Sequence, residues 1–233
     1  SQLLKKMEVQ MVQNLVPVLV RAHGTINWDG TPFQGKASPA YNVPDKFKDD
    51  DHLVFREAES SEALIDEIEH ELSLRKLISE RVIPNDDMRD YPLLGQKNIV
   101  NQINTKWVSQ NKKILTLAVH HNAQGMGDEW GNAIGVCVFT SPGQTASDKP
   151  AGRLAAAFME DFPDWKVRLD KSDGDADYEA PFTILMANGM AILIELGFQD
   201  TRSEVEKLKN PEFRKRIVKT IVNWFENEIK LAA

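Results

Sequence analysis

Three apolar runs in this 233-residue chain each end on a residue that can bind a metal or work beside one. Val18-Leu19-Val20-Arg21-Ala22 delivers His23-Gly24. Leu115-Thr116-Leu117-Ala118-Val119 runs into His120-His121-Asn122-Ala123, and Ala191-Ile192-Leu193-Ile194 runs into Glu195-Leu196-Gly197-Phe198. Continuous apolar runs read as buried, parallel-type strands, and in open α/β sheets the chemistry gathers at the carboxyl ends of the strands. His23, His120 and Glu195 are therefore aimed at one edge of one sheet, an arrangement that suits a metal hydrolase. A hydrolytic zinc takes three ligands from His and Asp/Glu and leaves one position for water. His120 and His121 are neighbours at a strand end, where alternate side chains point to opposite faces, so only one of them faces the site. His52, in a charged loop, and His70, on a Glu-rich helix face, read as solvated.

The elements that must position these residues follow from periodicity. Leu3, Leu4, Met7, Met11 and Leu15 recur at helical spacing and predict a short amphipathic helix over 2–14. Residues 24–52 carry glycines, prolines and the charge run Asp45–Asp51 with no sustained period, which predicts a long loop. Leu64, Ile65, Ile68 and Leu72 mark a helix, and Lys76–Ile83 can return as a strand before Pro84. Leu94, Val100, Ile103, Trp107 and Val108 mark a second helix feeding the strand Ile114–Val119. After a strand at Ile134–Phe139, Ser147 offers an N-cap for a helix over 148–161. Thr201 and Glu204 have capping-box spacing, and Asn210-Pro211 starts a long terminal helix carrying Ile217, Ile221, Phe225 and Ile229. Helices alternating with strands imply one α/β domain over 1–233, with a twisted, mainly parallel (mixed) sheet flanked by helices on both faces.

The same residues resemble the zinc-dependent N-acetylmuramoyl-L-alanine amidases that cut peptidoglycan. That family carries a Gly-His-Gly turn after the first strand, a glutamate opening the first helix, a Ser-x-His-x-Asn-Ala segment and a Glu-x-Gly-Phe segment. This chain has Ala22-His23-Gly24, Arg56-Glu57-Ala58-Glu59, Ala118-Val119-His120-His121-Asn122-Ala123 and Glu195-Leu196-Gly197-Phe198 in that order, over about residues 15 to 230. The resemblance implies a Zn2+ cofactor held by His23, a first-helix glutamate and His120, with Glu195 as catalytic carboxylate and peptidoglycan as substrate. Gly143–Thr145, Asp148-Lys149 and Ser172–Asp175 look most like phage and prophage members. The family's acidic and small residues before the first histidine are replaced by Arg21-Ala22, and its Asn after Gly-Phe by Asp200-Thr201, which should alter a turn more than the chemistry.

Helix geometry decides between Glu57 and Glu59. Two residues apart on a helix is about 200°, so both cannot reach one metal. Glu57 lies seven positions before Leu64, in line with the apolar face, and the inward-facing residue should ligate. Glu195, at the mouth of an apolar strand, is desolvated, which raises its pKa toward that of a general base. Its structural alternative is a buried carboxylate capping a helix or paired with an arginine. Asn122 could orient His120 or the substrate, or stabilise its own turn. Trp28, Trp130 and Tyr41 lie in loops beside the two histidines and could anchor those loops or stack on a sugar or peptide.

Composition narrows the partners. With a net charge of -7 and a pI near 5.3 the chain has no broad basic field for nucleic acid. No stretch approaches the ~20 apolar residues of a membrane span. The single cysteine, Cys137, sits in a strand-like run and reads as core. The acidic segment Asp170–Glu179 lacks the glycine and final glutamate of a calcium loop and reads as a solvated loop near the cleft. The expectation is a monomeric zinc amidase acting at the cell wall, periplasmic or extracellular, although the N-terminal segment lacks a signal peptide's apolar region. The rivals are a zinc peptidase on short cell-wall peptides and an inactive peptidoglycan-binding module.

Overall fold

Buried side chains alternate so regularly along Leu15–Arg21 that the segment separates two hydrophobic cores. Leu15 and Leu19 enter one, while Val16, Val18 and Val20 enter the other. The period of two is that of a strand covered on both faces. The computed structural model describes residues 13–33, 36–172 and 174–233. In chain order these form β1 (Leu15–Arg21), the short α1 (Pro39–Asn42), α2 (Glu57–Leu74), β2 (Glu80–Arg81), α3 (Leu93–Val108) and β3 (Lys113–Asn122). There follow β4 (Val136–Thr140), α4 (Asp148–Asp161), β5 (Val167–Arg168), β6 (Tyr178–Glu179), β7 (Met190–Phe198), α5 (Arg202–Lys209) and α6 (Pro211–Leu231).

The sheet order is β2-β1-β3-β7-β4-β5, with β6 also paired to β4. Every pairing is parallel except β4 with β7. The larger core lies under α2, α4, α5 and α6, and includes Leu64, Ile68, Leu154, Phe158, Ile221 and Phe225. The smaller lies under α3 and a 3₁₀ turn at Thr183–Met186. The expected mixed α/β sheet with helices on both faces is the observed architecture.

Several local expectations change. The strand expected at Lys76–Ile83 is the two-residue β2, an edge strand paired only at Val18↔Glu80 and Leu19↔Arg81. The 24–52 loop contains α1 and a 3₁₀ segment, Lys48–Leu53. The helix expected over 2–14 lies outside the described residues save Gln13 and Asn14, which are not helical. Neither expected cap forms. Ser147 Oγ accepts from Ala191 N–H instead, Thr201 Oγ1 donates to Ala133 O, and Glu204 is buried against Gly135 N–H and Trp165 Nε1–H. Asn210 does cap α6, accepting from Glu212 and Phe213 N–H. Asp177, expected in a solvated loop, is buried and accepts from Thr140 Oγ1 at 2.5 Å, which fastens the acidic segment to β4.

Candidate metal centre and active site

Strand alternation places the site on the α3 side of the sheet. Ile114 and Ala118 of β3 face the smaller core, so His120 shares their side, and Leu115, Leu117 and Val119 send His121 to the other. Ala191 and Leu193 of β7 likewise put Glu195 on the α3 side, and His120 and Glu195 are register partners on adjacent strands. His121 is buried, its Nδ1 2.6 Å from Leu196 O. Burial lowers its pKa, so it is neutral, with the Nδ1 proton donated to that carbonyl.

α2 enters from the opposite face and brings Glu57 to the histidines from its first turn. Glu57 is 2% exposed, whereas the Glu59 side chain is 57% exposed and pairs with Arg56. Inward and outward are thus divided as the helical count requires. Glu57 Oε1 lies 3.1 Å from His120 Nδ1 and accepts from His121 N–H at 3.0 Å, and Gln199 Nε2–H donates to Oε2 at 3.4 Å. Burial alone would raise the Glu57 carboxyl, but the hydrogen bond and charge of His120, with the charge of His23, bring it down to about 2.

His23, Glu57 and His120 each offer a ligand atom, and these atoms lie within 4.8 Å of one another. Donors around a tetrahedral zinc with 2.0–2.1 Å bonds stand about 3.4 Å apart, so small side-chain rotations would close them on one ion. Two imidazoles and a carboxylate are also a donor set zinc prefers. Glu195 is not a fourth member of the cluster. Its Oε2 is buried without a partner, and burial first, then the charge of Glu57, raise it well above the ordinary carboxylate range against the opposing charges of Lys36 and His23. Cys137, the register partner of Glu195 on β4, is buried and its thiol is pushed up to about 11 by that burial. It adds apolar volume beside the carboxylate.

His23, Glu57, His120 and Glu195 line a cavity of about 470 Å³ together with the apolar side chains of Leu93, Phe182, Ile184 and Leu193. Trp28, Trp130 and Tyr41 are not part of that lining. Each is held by an arginine instead, Arg89 at 4.1 Å, Arg202 at 4.9 Å and Arg56 at 4.8 Å from the ring centroid. Asn122 stabilises its own turn, its Oδ1 accepting from Ala123 N–H. Asp200 Oδ2 accepts from both Gln124 and Gly125 N–H, which shapes the loop after His120.

The sequence does not single out Asp90 or Gln199 as supporting residues, and it marks Arg21 only as a departure from the family. Asp90 Oδ1 accepts from Gly24 N–H at 2.8 Å and stands 3.7 Å from His23 Nδ1. The approach requires glycine, because a Cβ on Gly24 would sit 2.2 Å from Asp90 N. Arg21, 1% exposed, holds the loop that carries Asp90 by donating to Asp87 O and Arg89 O, and pairs with Glu62 at 3.3 Å. Asp90 sits in Met88-Arg89-Asp90-Tyr91, with no apolar run to mark it as delivered to the sheet edge. The only hint of the close approach was the glycine after His23.

The model of the N-acetylmuramoyl-L-alanine amidase family matches residues 55–227, which include Glu57, His120 and Glu195. The chain belongs to that family. Its fold is also that of solved amidases. Against the N-acetylmuramoyl-L-alanine amidase of Clostridium difficile 630 the TM-score is 0.68 at 19% identity, covering 93% of this chain and 98% of that one. Against the amidase Ami1 of Mycobacterium smegmatis it is 0.67 at 14% identity, covering 94% and 98%. Against Ami1 of Mycobacterium abscessus it is 0.65 at 15% identity, covering 93% and 99%. No curated protein matches the chain. No helix among the described residues is long and apolar enough to cross a membrane.

Proposed function

We propose that this amidase is zinc-dependent, that His23, Glu57 and His120 hold the metal, and that Glu195 is the catalytic carboxylate. It cleaves the amide between the lactyl group of N-acetylmuramic acid and L-alanine, as a monomer acting at the cell wall in lysis or remodelling. The observation that carries this reading is the cluster of three donors within 4.8 Å of one another in the same cavity as the partnerless Glu195 Oε2. Zinc at such a site lowers the pKa of water to about 7 and polarises the scissile carbonyl. Glu195 takes the proton of the attacking water and returns it to the L-alanine nitrogen as the C–N bond breaks. Its raised pKa suits both halves of that transfer. Glu57 is braced by His121 N–H and Gln199, so it keeps one orientation at the metal.

The test combines metal analysis of purified protein with mass spectrometry of peptidoglycan digests before and after chelation. About one zinc per chain and release of intact stem peptides, abolished by chelation, are expected. Full hydrolysis by verified metal-free protein would end the zinc reading. Cuts within the stem peptide would replace the amidase by a peptidase.

A further inference from the structure

Among the described residues that line the cavity, Lys36 is a cation that the proposed reaction leaves unused. Lys36 lines the same space as Glu57, His120 and Glu195, and its charge opposes the effect of burial on Glu195. Neighbouring arginines are all engaged: Arg21 with Glu62, Arg56 with Glu59, Arg89 with Asp87. Among the described residues no carboxylate pairs with the Lys36 ammonium. Its backbone, by contrast, is fixed. Lys36 O accepts from Glu57 N–H at 3.0 Å, Ala37 bridges to Arg56, and Lys36 itself has φ 43. A non-glycine residue in the left-handed region is uncommon and strained. Here that conformation sets the lysine beside the helix end that carries Glu57.

A substrate in this cavity has a definite charge pattern. An extended peptide advances about 3.3–3.6 Å per residue, so a carboxylate on the residue after L-alanine lies within about 7 Å of the alanine nitrogen. We propose that Lys36 is a specificity-determining residue that binds a free carboxylate on the second residue of the stem peptide and so favours acidic stems over amidated ones. The inference rests on the amidase reading. An unpaired, solvent-exposed ammonium at the cavity wall forms a charge-assisted hydrogen bond with a carboxylate and gains only a neutral partner from a carboxamide.

The test uses peptidoglycan of one strain prepared with that carboxyl either free or amidated, and the zinc-loaded enzyme. Wild type should favour the free acid by about tenfold in kcat/KM, the low end for a hydrogen bond between charged groups. K36M should lose about that factor on the free-acid wall, through KM, bringing the ratio near one, and K36R should keep most of the preference. Zinc content and melting temperature check that each variant is folded. Equal kcat/KM of wild type on the two walls overturns the inference while leaving the amidase reading standing. An equal loss on both walls in K36M also overturns it and assigns the lysine to Glu195 or to the fold. Failure to cut the amide in either wall overturns the amidase reading and this inference with it.

Discussion

Replacing Asp90 should weaken zinc binding without touching a ligand. Its carboxylate has two tasks, accepting Gly24 N–H at 2.8 Å and facing His23 Nδ1 at 3.7 Å. Although burial works against its charge, the neighbouring His23 and the Gly24 N–H keep the Asp90 carboxyl below its ordinary pKa, so it is ionised at neutral pH. Carboxylates that orient a metal-bound histidine typically contribute 10–100-fold in metal affinity. At 3.7 Å the contact is longer than a direct hydrogen bond, which puts Asp90 near the lower limit, about tenfold or ~1.4 kcal/mol. D90A also orphans the Gly24 N–H, at about 1–3 kcal/mol of stability. D90N keeps an acceptor for that N–H and loses the charge, so it should melt near wild type yet bind zinc about tenfold more weakly. Competition against a fluorescent chelator measures the affinity, and melting of the metal-free protein measures the stability. Zinc affinities within twofold of wild type in both variants would refute the assignment of Asp90 as the brace of His23.

Three further outcomes follow from the same geometry. E57A should lose bound zinc while E59A keeps it and changes stability by less than about 1 kcal/mol, as befits an exposed pair with Arg56; the reverse pattern in metal analysis would move the ligand to Glu59. E195Q should retain metal and fold while losing on the order of 100–10,000-fold in kcat, the range general acid-base groups supply, and near-normal turnover would remove Glu195 from the chemistry. Burial, with the charge of Asp175, raises Asp177 to about 6 although its bond from Thr140 opposes this. A raised folded-state pKa means its contribution is present below the unfolded value near 4 and is lost as pH rises through about 6. Melting temperature should therefore fall over that window, and D177N, which mimics the neutral form, should flatten the dependence; an unchanged pH profile would show that another group is responsible.

The parts of the site that were legible in the sequence are those the strands deliver. β1, β3 and β7 are continuous apolar runs because both faces of the sheet are covered, so their ends, and with them His23, His120 and Glu195, announce themselves. Glu57 was legible because a helix with Leu64, Ile68 and Leu72 on its inner face fixes the direction of a residue seven positions earlier. Asp90, Lys36 and Gln199 were not legible, since each is delivered by a loop or strand end whose path depends on tertiary contacts. The failed caps have the same origin. Ser147 and Thr201 stand at helix starts, but the Ala191 N–H of β7 and the Ala133 carbonyl in the loop before β4 compete for their hydroxyls and win. β2 was overestimated because an edge strand ends where its single neighbour stops pairing, a limit that local propensity does not contain.

The replacement of an acidic residue by Arg21 at the end of β1 becomes intelligible through α2. A buried guanidinium is costly unless paired and hydrogen-bonded. Glu62 supplies the charge, and Asp87 O and Arg89 O take two N–H groups, so the cation is used to hold the loop that presents Asp90. The other Glu62 oxygen accepts from Arg81, which also reaches Asp66 and Glu69 on the same helix. One residue before Glu62, Ser61 accepts from Ala22 N–H and donates to Val119 O, tying the ends of β1 and β3 to α2 next to both histidines. Glu57 and Ser61 lie at i and i+4, one above the other on the helix, and Glu62 follows on the adjoining face. The carboxylate donor, the clamp on the strand ends and the anchor of the His23 brace are thus mounted on the first two turns of a single helix. A displacement of α2 shifts all three together, so the spacing between Glu57 and the strand-end histidines depends on how this helix packs on the larger core.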